Sequence, residues 1–329
     1  MEYRKLGNTD VTVSVVAMGC WAIVGDETWG EQDEKDALDA IRAAMDAGVT
    51  TFDTAEGYGG GYSEEMLGAA LEGTRDEAVI LTKVSSGHLA YDEVKAACER
   101  SLKRLRRDYV DLYQIHWPSR KVPLDETWRA LEELKREGKI RAVGVSNFGP
   151  EDLGEILAFG DVASNQLAWS LLFRAVEYHI QPLCVENNLS ILPYSPLMQG
   201  LLTGKFATAD DVPEGRARTR HFSSERPQAG HGERGHEEEV FAAIDRIREI
   251  ADKVGEPIER VALAWLLEQE GVACVLAGAR NVRQITDNAK AGEVKLSDAI
   301  VLELGEATEA LKAEMGANPD MWLSEPRIR

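Results

Sequence analysis

The chain has 329 residues, 44% of them apolar, and carries 57 Asp and Glu against 37 Lys and Arg, a formal net charge of −20. This content supports a large core, and the negative field repels polyanions, so a nucleic-acid partner is not expected. No apolar run approaches the ~18 residues of a membrane span, the amino terminus MEYRKLGNTD has no apolar leader core, and Cys20, Cys98, Cys184 and Cys274 are scattered without a CxxC pair. A cytoplasmic protein with reduced thiols and no membrane partner is expected, with an oligomeric assembly left open.

The segment EYRKLGNTDVTV reads as a small hairpin turning at Gly7-Asn8. Next comes VSVVAMG, the first of eight β-branched apolar runs, followed by the helix-period segment DEKDALDAIRAAMDAG. That segment aligns Ala37, Ile41, Ala44 and Met45 on one stripe and stops at Gly48. VTTFDT (49–54) is followed by SEEMLGAALEG, with Ser63 as the expected N-cap and Glu64 and Glu65 in the first turn. The alternation continues through AVILTKV (78–84), YDEVKAACERSLKRL, YVDLYQIH (109–116) and PLDETWRALEELKREG. The cations Arg100, Lys103, Arg104, Arg106 and Arg107 fall near the carboxyl end of the first of these helices, where positive charge suits the dipole. Strand-like IRAVGVSN (140–147), DVASNQLAWS (161–170) and LSILPYSP (189–196) follow, and PIERVALAWLLEQEG leads to GVACVLAGA (271–279).

Eight strands alternating with helices imply a parallel sheet, and at this length a closed (β/α)₈ TIM barrel, read as one domain over residues 1–329. Residues 203–236 lack apolar periodicity and are rich in Gly, Pro, Arg, Glu and His, so a long lid-like loop after strand seven is expected. A helix and tail close the chain.

In such a barrel the chemistry gathers at the carboxyl ends of the strands. Those ends deliver Asp53 with Tyr58 in the loop beyond, then Lys83, His116, Ser146-Asn147, Gln166, Tyr194-Ser195 and Gly278-Ala279-Arg280. An ammonium beside a phenol lowers its pKa, a carboxylate holds the ammonium in place, and an imidazole can hydrogen-bond a carbonyl oxygen. That set suits protonation of a carbonyl oxygen as hydride reaches its carbon, or the reverse. The glycine-rich FDTAEGYGGGYSEE (52–65) is a poor phosphate cradle: Gly57 and Gly59 give G-x-G, but the third required position is Tyr62, and Glu64 and Glu65 sit where a pyrophosphate would go. Six histidines raise a metal-dependent hydrolase as a further reading, but they show neither H-x-H nor HExxH, so no metal is expected.

Taken with LTKV, YVDLYQIHWP, GKIRAVGVSNF, SNQLAWSLL, PYSPLMQGLLTGKF and AGARNVRQITDN, this loop resembles the aldo-keto reductase superfamily, in the branch related to potassium-channel β subunits and bacterial sugar and aldehyde reductases. The resemblance implies a catalytic tetrad of Asp53, Tyr58, Lys83 and His116, with Tyr58 as general acid/base, and a dinucleotide laid across the barrel mouth. NADP(H) is favoured and NAD(H) left open, because Gln284 stands where many NADP-selective members carry a basic residue. Ser146, Asn147 and Gln166 would hold the carboxamide and Tyr194 would stack on the nicotinamide. Ser195, Pro196, Leu197, Gly200 and Lys205 would lie along the diphosphate, and Gly278, Arg280, Gln284, Asp287 and Asn288 at the adenosine end. Gly19, Cys20, Trp21 and Asp53 are also assigned to the cofactor, and Arg280 to a 2′-phosphate. Asn281 with Gln284 reads equally as a helix-capping pair. Trp21, Trp29, Tyr62 and Trp117 are expected to line the mouth for a small carbonyl or sugar substrate, with MWLSEP (321–326) folding back over it. A slowly turning over, β-subunit-like regulatory protein is the alternative.

Overall fold

The computed structural model describes residues 1–74 and 76–329. Two short strands, β1 (Tyr3–Lys5) and β2 (Thr12–Ser14), pair antiparallel. Eight parallel strands then close a barrel in chain order: β3 (Val16–Gly19), β4 (Thr51–Asp53), β5 (Val79–Val84), β6 (Val110–Ile115), β7 (Ile140–Ser146), β8 (Ser164–Ala168), β9 (Ser190–Tyr194) and β10 (Val275–Gly278), which pairs back onto β3. The (β/α)₈ barrel and its amino-terminal hairpin are therefore present as expected. Around the strands lie α1 (Glu34–Asp46), α2 (Tyr62–Ala70), α3 (Tyr91–Leu105), α4 (Leu124–Arg136), α5 (Pro150–Leu157), α6 (Val176–Glu186), α7 (Glu237–Val254), α8 (Ile258–Leu267) and α9 (Val282–Lys290), followed by α10 (Asp298–Ala307) and α11 (Glu309–Met315). Among the described residues no helix is long and apolar enough to cross a membrane.

Local chemistry sets the helix ends. Asp33 caps α1 by accepting from the Asp36 amide, and α1 stops before left-handed Gly48 at φ 77°. Ser63 does not cap α2 as expected. The helix starts two residues earlier, capped by left-handed Gly61, and the Ser63 hydroxyl is buried, donating to the Cys20 carbonyl and accepting from Thr54. The cations of α3 are tied to this protein's own acceptors: Arg100 to Glu56, Arg104 to Glu64, Arg106 to Glu72 and Arg107 to the Ala78 carbonyl.

The hairpin closes one end of the barrel. Leu6, Val11 and Val13 pack with Leu81, Leu112, Leu192 and Leu276 inside the strands, a separate cluster from the larger one between strands and helices. The turn fits because Gly7, at φ 51°, lies so close to the Ala163 carbonyl that a Cβ would stand 2.4 Å from its oxygen. Side chains at the strands' carboxyl ends are left facing the open mouth. The loop after β9 is irregular from Gly204 to His236 apart from one short 3₁₀ turn, Ala209–Asp211. It is packed, burying Ala217, Thr219, Arg220, His221 and Phe222.

Candidate active site

Strand register brings the tetrad together. Asp53 ends β4 beside Gly19 and Leu81, Lys83 pairs with Gln114, and the backbone after β6 continues onto β5 as the His116 amide donates to the Val84 carbonyl. Lys83 is fully buried. Its Nζ donates to Asp53 Oδ1 at 2.6 Å, to the Thr54 carbonyl at 2.8 Å and to the Tyr58 hydroxyl at 3.4 Å. The second Asp53 oxygen accepts from Gln166 at 2.8 Å and from Gln114 at 3.4 Å, and Gln166 also donates to Gln114.

Tyr58 opens a 3₁₀ turn, and Gly59, Gly60 and Gly61 all follow with positive φ. Gly61 combines φ 103° with a close approach, since a Cβ there would stand 2.2 Å from the Arg104 guanidinium carbon. The turn holds the half-buried Tyr58 ring edge-on to His116, with centroids 5.6 Å apart, and stacked on Trp21 at 6.1 Å. Burial pushes the phenol above its usual pKa while the Lys83 ammonium pulls it down, Asp53 and Cys20 opposing that pull more weakly. The ammonium alone was expected to set the direction; in this cavity desolvation outweighs it, so the phenol keeps its proton near neutral pH. His116 is held down to about 3, by burial first and Lys83 second, so its imidazole is neutral.

A cleft of about 1040 Å³ opens above these groups. All the expected cofactor residues line it, as do Trp21, Trp29 and Trp117, and His116 is the one histidine in its lining. Tyr62 does not. As the first residue of α2 it turns outward, is 37% exposed and donates to Glu34 at 2.6 Å. Several expected cofactor ligands already bond to one another. Asn147, left-handed at φ 62°, donates to Ser146 and to the His116 carbonyl and accepts from Tyr194 at 2.9 Å. Asn288 donates to the Gly278 carbonyl, and Asp287 accepts from Arg260 and Lys290.

Arg280 departs most from expectation. Its guanidinium donates to Gln32 and to the backbone carbonyls of Trp29, Gly30 and Glu31. The Gln284 side chain accepts from the Arg280 amide while Asn281 accepts from the Gln284 amide, so this pair does cap α9.

Residues beyond those expected from the sequence also line the cleft, among them Arg216, Gln199, Arg283 and Arg327. Lys205 was expected there, and Arg216 joins it. Neither has an ion-pair partner among the described residues, and burial lowers the pKa of both, with repulsion from Arg216 and Arg280 adding to it at Lys205 and from Arg280 at Arg216. Gln199 is 6% exposed, adopts φ 51°, and neither atom of its amide has a partner. Arg283 sits in the first turn of α9. Trp322, within the segment expected to fold back, lies nearly parallel to Tyr194 at 6.0 Å and edge-on to Trp117, and Arg327 covers Trp117 at 3.8 Å. The loop after β9 bridges the mouth as Gly215 packs on Glu27 and Arg216 lies 5.9 Å over Trp29. The run GRARTR (215–220) carried a signal for Arg216, as cations inside an otherwise acidic chain.

Comparison with known proteins follows the same lines. A profile described as the Aldo/keto reductase family matches residues 15–309. The chain is 34% identical to the NADH-specific methylglyoxal reductase of Escherichia coli, covering 95% of this chain and 100% of that protein. Among solved structures, the glycerol dehydrogenase of Gluconobacter oxydans superposes with a TM-score of 0.81 at 33% identity, over 96% of this chain and 97% of that one. An aldo/keto reductase from Klebsiella pneumoniae in complex with NADP and acetate superposes at 0.73 with 28% identity, covering 93% and 95%.

Proposed function

Since this chain belongs to the aldo/keto reductase family and is an enzyme of that family, we propose that it interconverts a small carbonyl compound and its alcohol, with Tyr58 handling the proton and NADP(H) as the preferred cofactor. The observation that carries this reading is the buried Lys83 ammonium, placed between Asp53 at 2.6 Å and the Tyr58 hydroxyl at 3.4 Å beneath the cleft.

The cleft's donors fit a dinucleotide. Lys205 and Arg216 are cations without carboxylates, suited to a diphosphate, and the open amide of Gln199 lies among them. Tyr194 offers an aromatic face beside Ser146 and Asn147. When bound, the nicotinamide supplies or receives the hydride. In the reducing direction the protein's own part is to deliver the proton: the Tyr58 O–H bond breaks, its proton goes to the carbonyl oxygen, and the phenolate left behind is stabilised by Lys83. Asp53 keeps that ammonium charged and fixed. Neutral His116 orients the carbonyl by a single N–H hydrogen bond. Alcohol oxidation runs the same proton path backward.

The placement of Arg283 and Arg280 beside the adenosine end supports NADP(H). NAD(H) ranks second, because the Arg280 guanidinium is committed to backbone carbonyls and Gln284 is uncharged. The names of the relatives suggest methylglyoxal and glycerol as first substrates. Absorbance at the nicotinamide band, followed with these compounds in both directions and with both cofactors, tests the proposal. Turnover with at least one carbonyl, faster with NADPH, is expected; tight cofactor binding without turnover on any of them would overturn it.

A further inference from the structure

Glu56 lies two residues before Tyr58, and nothing in the proton path uses it. It is 6% exposed. Its backbone amide donates to the Lys83 carbonyl at 3.3 Å, and its carboxylate Oε1 accepts from the Ser85 amide at 2.8 Å. In a parallel ladder one residue donates to a carbonyl on the neighbouring strand and accepts, through its own carbonyl, from the amide two residues further on. Glu56 makes that pair of bonds to Lys83 and Ser85, with its side chain in place of its main-chain carbonyl. One ladder step earlier, the Thr54 amide donates to the Leu81 carbonyl. The pairing of β4 with β5 is thus carried one step past the end of β4, while the main chain is released to turn at Gly57 into the Tyr58 turn.

We propose that Glu56 is a positioning residue whose carboxylate, standing in for a strand carbonyl, registers the Tyr58 loop against the strand that carries Lys83. This rests on the reading of Tyr58 as proton donor. The distance at stake is the 3.4 Å between Tyr58 and Lys83, and a displacement of about 1 Å in such a pair costs on the order of 10²-fold in rate. An imidazole and a guanidinium meet the same carboxylate from its outer side: His88 Nδ1 stands 2.8 Å from Oε1 and Arg100 donates to Oε2 at 3.2 Å, their side chains 44% and 43% exposed. Neither is needed for the ladder bond to Ser85. The groups facing Tyr58 itself are Lys83, Asp53, Cys20 and His116.

The test compares Glu56→Ala, Glu56→Gln and His88→Ala, with methylglyoxal and NADPH as the assay pair and hydrogen exchange of the Ser85 amide as a readout independent of turnover. Glu56→Ala is expected to lower kcat about 10²-fold and leave the NADPH Kd within about twofold. It should also move the basic limb of the kcat profile to higher pH, because Tyr58 loses the pull of Lys83, and unprotect the Ser85 amide. Glu56→Gln keeps an oxygen for that amide and should restore the protection, the limb and most of kcat; His88→Ala should stay close to the parent. Parental kcat and parental exchange in Glu56→Ala would overturn the proposal, as would a glutamine variant as damaged as the alanine one. Tyr58→Phe in parallel separates the two readings: if it turns over normally the proton-donor assignment fails, and if it is inactive while Glu56→Ala is unaffected only the positioning role fails.

Discussion

The two halves of the barrel mouth differ in how far they satisfy themselves. On the side of β4 to β8, Asp53, Lys83, Gln114 and Gln166 hydrogen-bond one another, Asn147 donates to Ser146, and Lys83 is fully enclosed. Opposite, around the end of β9 and the loop beyond it, Gln199 holds a buried amide with no partner and Lys205 and Arg216 are cations without counter-ions among the described residues. A buried unpaired polar atom costs about 1–3 kcal/mol, so the second half carries a deficit that a ligand relieves, whereas the first is complete beforehand. The difference separates chemistry from capture. On the proposed mechanism, the groups that move a proton are placed beforehand, and those that hold the dinucleotide are completed by it.

Mutations that remove one half and leave the other can break this division. The largest effect is expected from Tyr58→Phe, which deletes the proposed proton donor but no phosphate contact. Rapid kinetics should show kcat falling by about 10²–10⁴-fold, with calorimetry giving an NADPH Kd within about threefold of the parent. A variant that lost affinity as severely as rate would join the two halves that the geometry separates. The converse change, Lys205→Ala with Arg216→Ala, should weaken NADPH binding by roughly 10²–10⁴-fold, at about 1.5–3 kcal/mol for each hydrogen bond to a charged group, while kcat at saturation stays near the parental value. Stability of the ligand-free double variant should not fall, since burial and the nearby positive charge of Arg280 already disfavour both cations.

The smallest effect concerns pH. His116 is held at about 3 in the folded protein against an ordinary 6.5. Between those values the unfolded chain binds the extra proton and the folded one does not, so this group's stability contribution is present above about pH 6.5 and is lost as pH falls toward 3. The kcat profile should accordingly show no inflection near 6.5. An inflection there would mean an imidazole far more open to water than the packing against Tyr58 and Lys83 allows.

The catalytic half was the more legible in the sequence, for a physical reason. Asp53, Lys83 and His116 each end a strand, and strand ends can be located from apolar runs alone once a barrel is inferred. What the sequence left out depended on partners distant in the chain. Arg280 reads as a phosphate ligand, and only the fold shows that the 29–31 carbonyls, about 250 residues earlier, also hold its guanidinium. Tyr62 reads as part of the mouth, being four residues from Tyr58, but the left-handed glycines between them turn it toward Glu34. Ser63 had the composition of a cap, and burial gave it another role. Gln114 lies within a strand where only its register with Lys83 shows that it reaches Asp53. The loop before α7 reads as a lid because its buried residues follow no simple period, whereas α7 itself, though unassigned, was legible: Val240, Ala243, Ile244, Ile247, Ile250 and Ala251 are buried at helical spacing.

The tryptophans have a practical consequence. Of the seven in the chain, Trp21, Trp29, Trp117 and Trp322 line the same cleft, and Trp21 is stacked against Tyr58. Much of the protein's ultraviolet emission therefore originates within one molecular diameter of any bound ligand. The enzyme carries its own optical reporter, and quenching or energy transfer on titration would register occupancy of the mouth without a label or a known substrate.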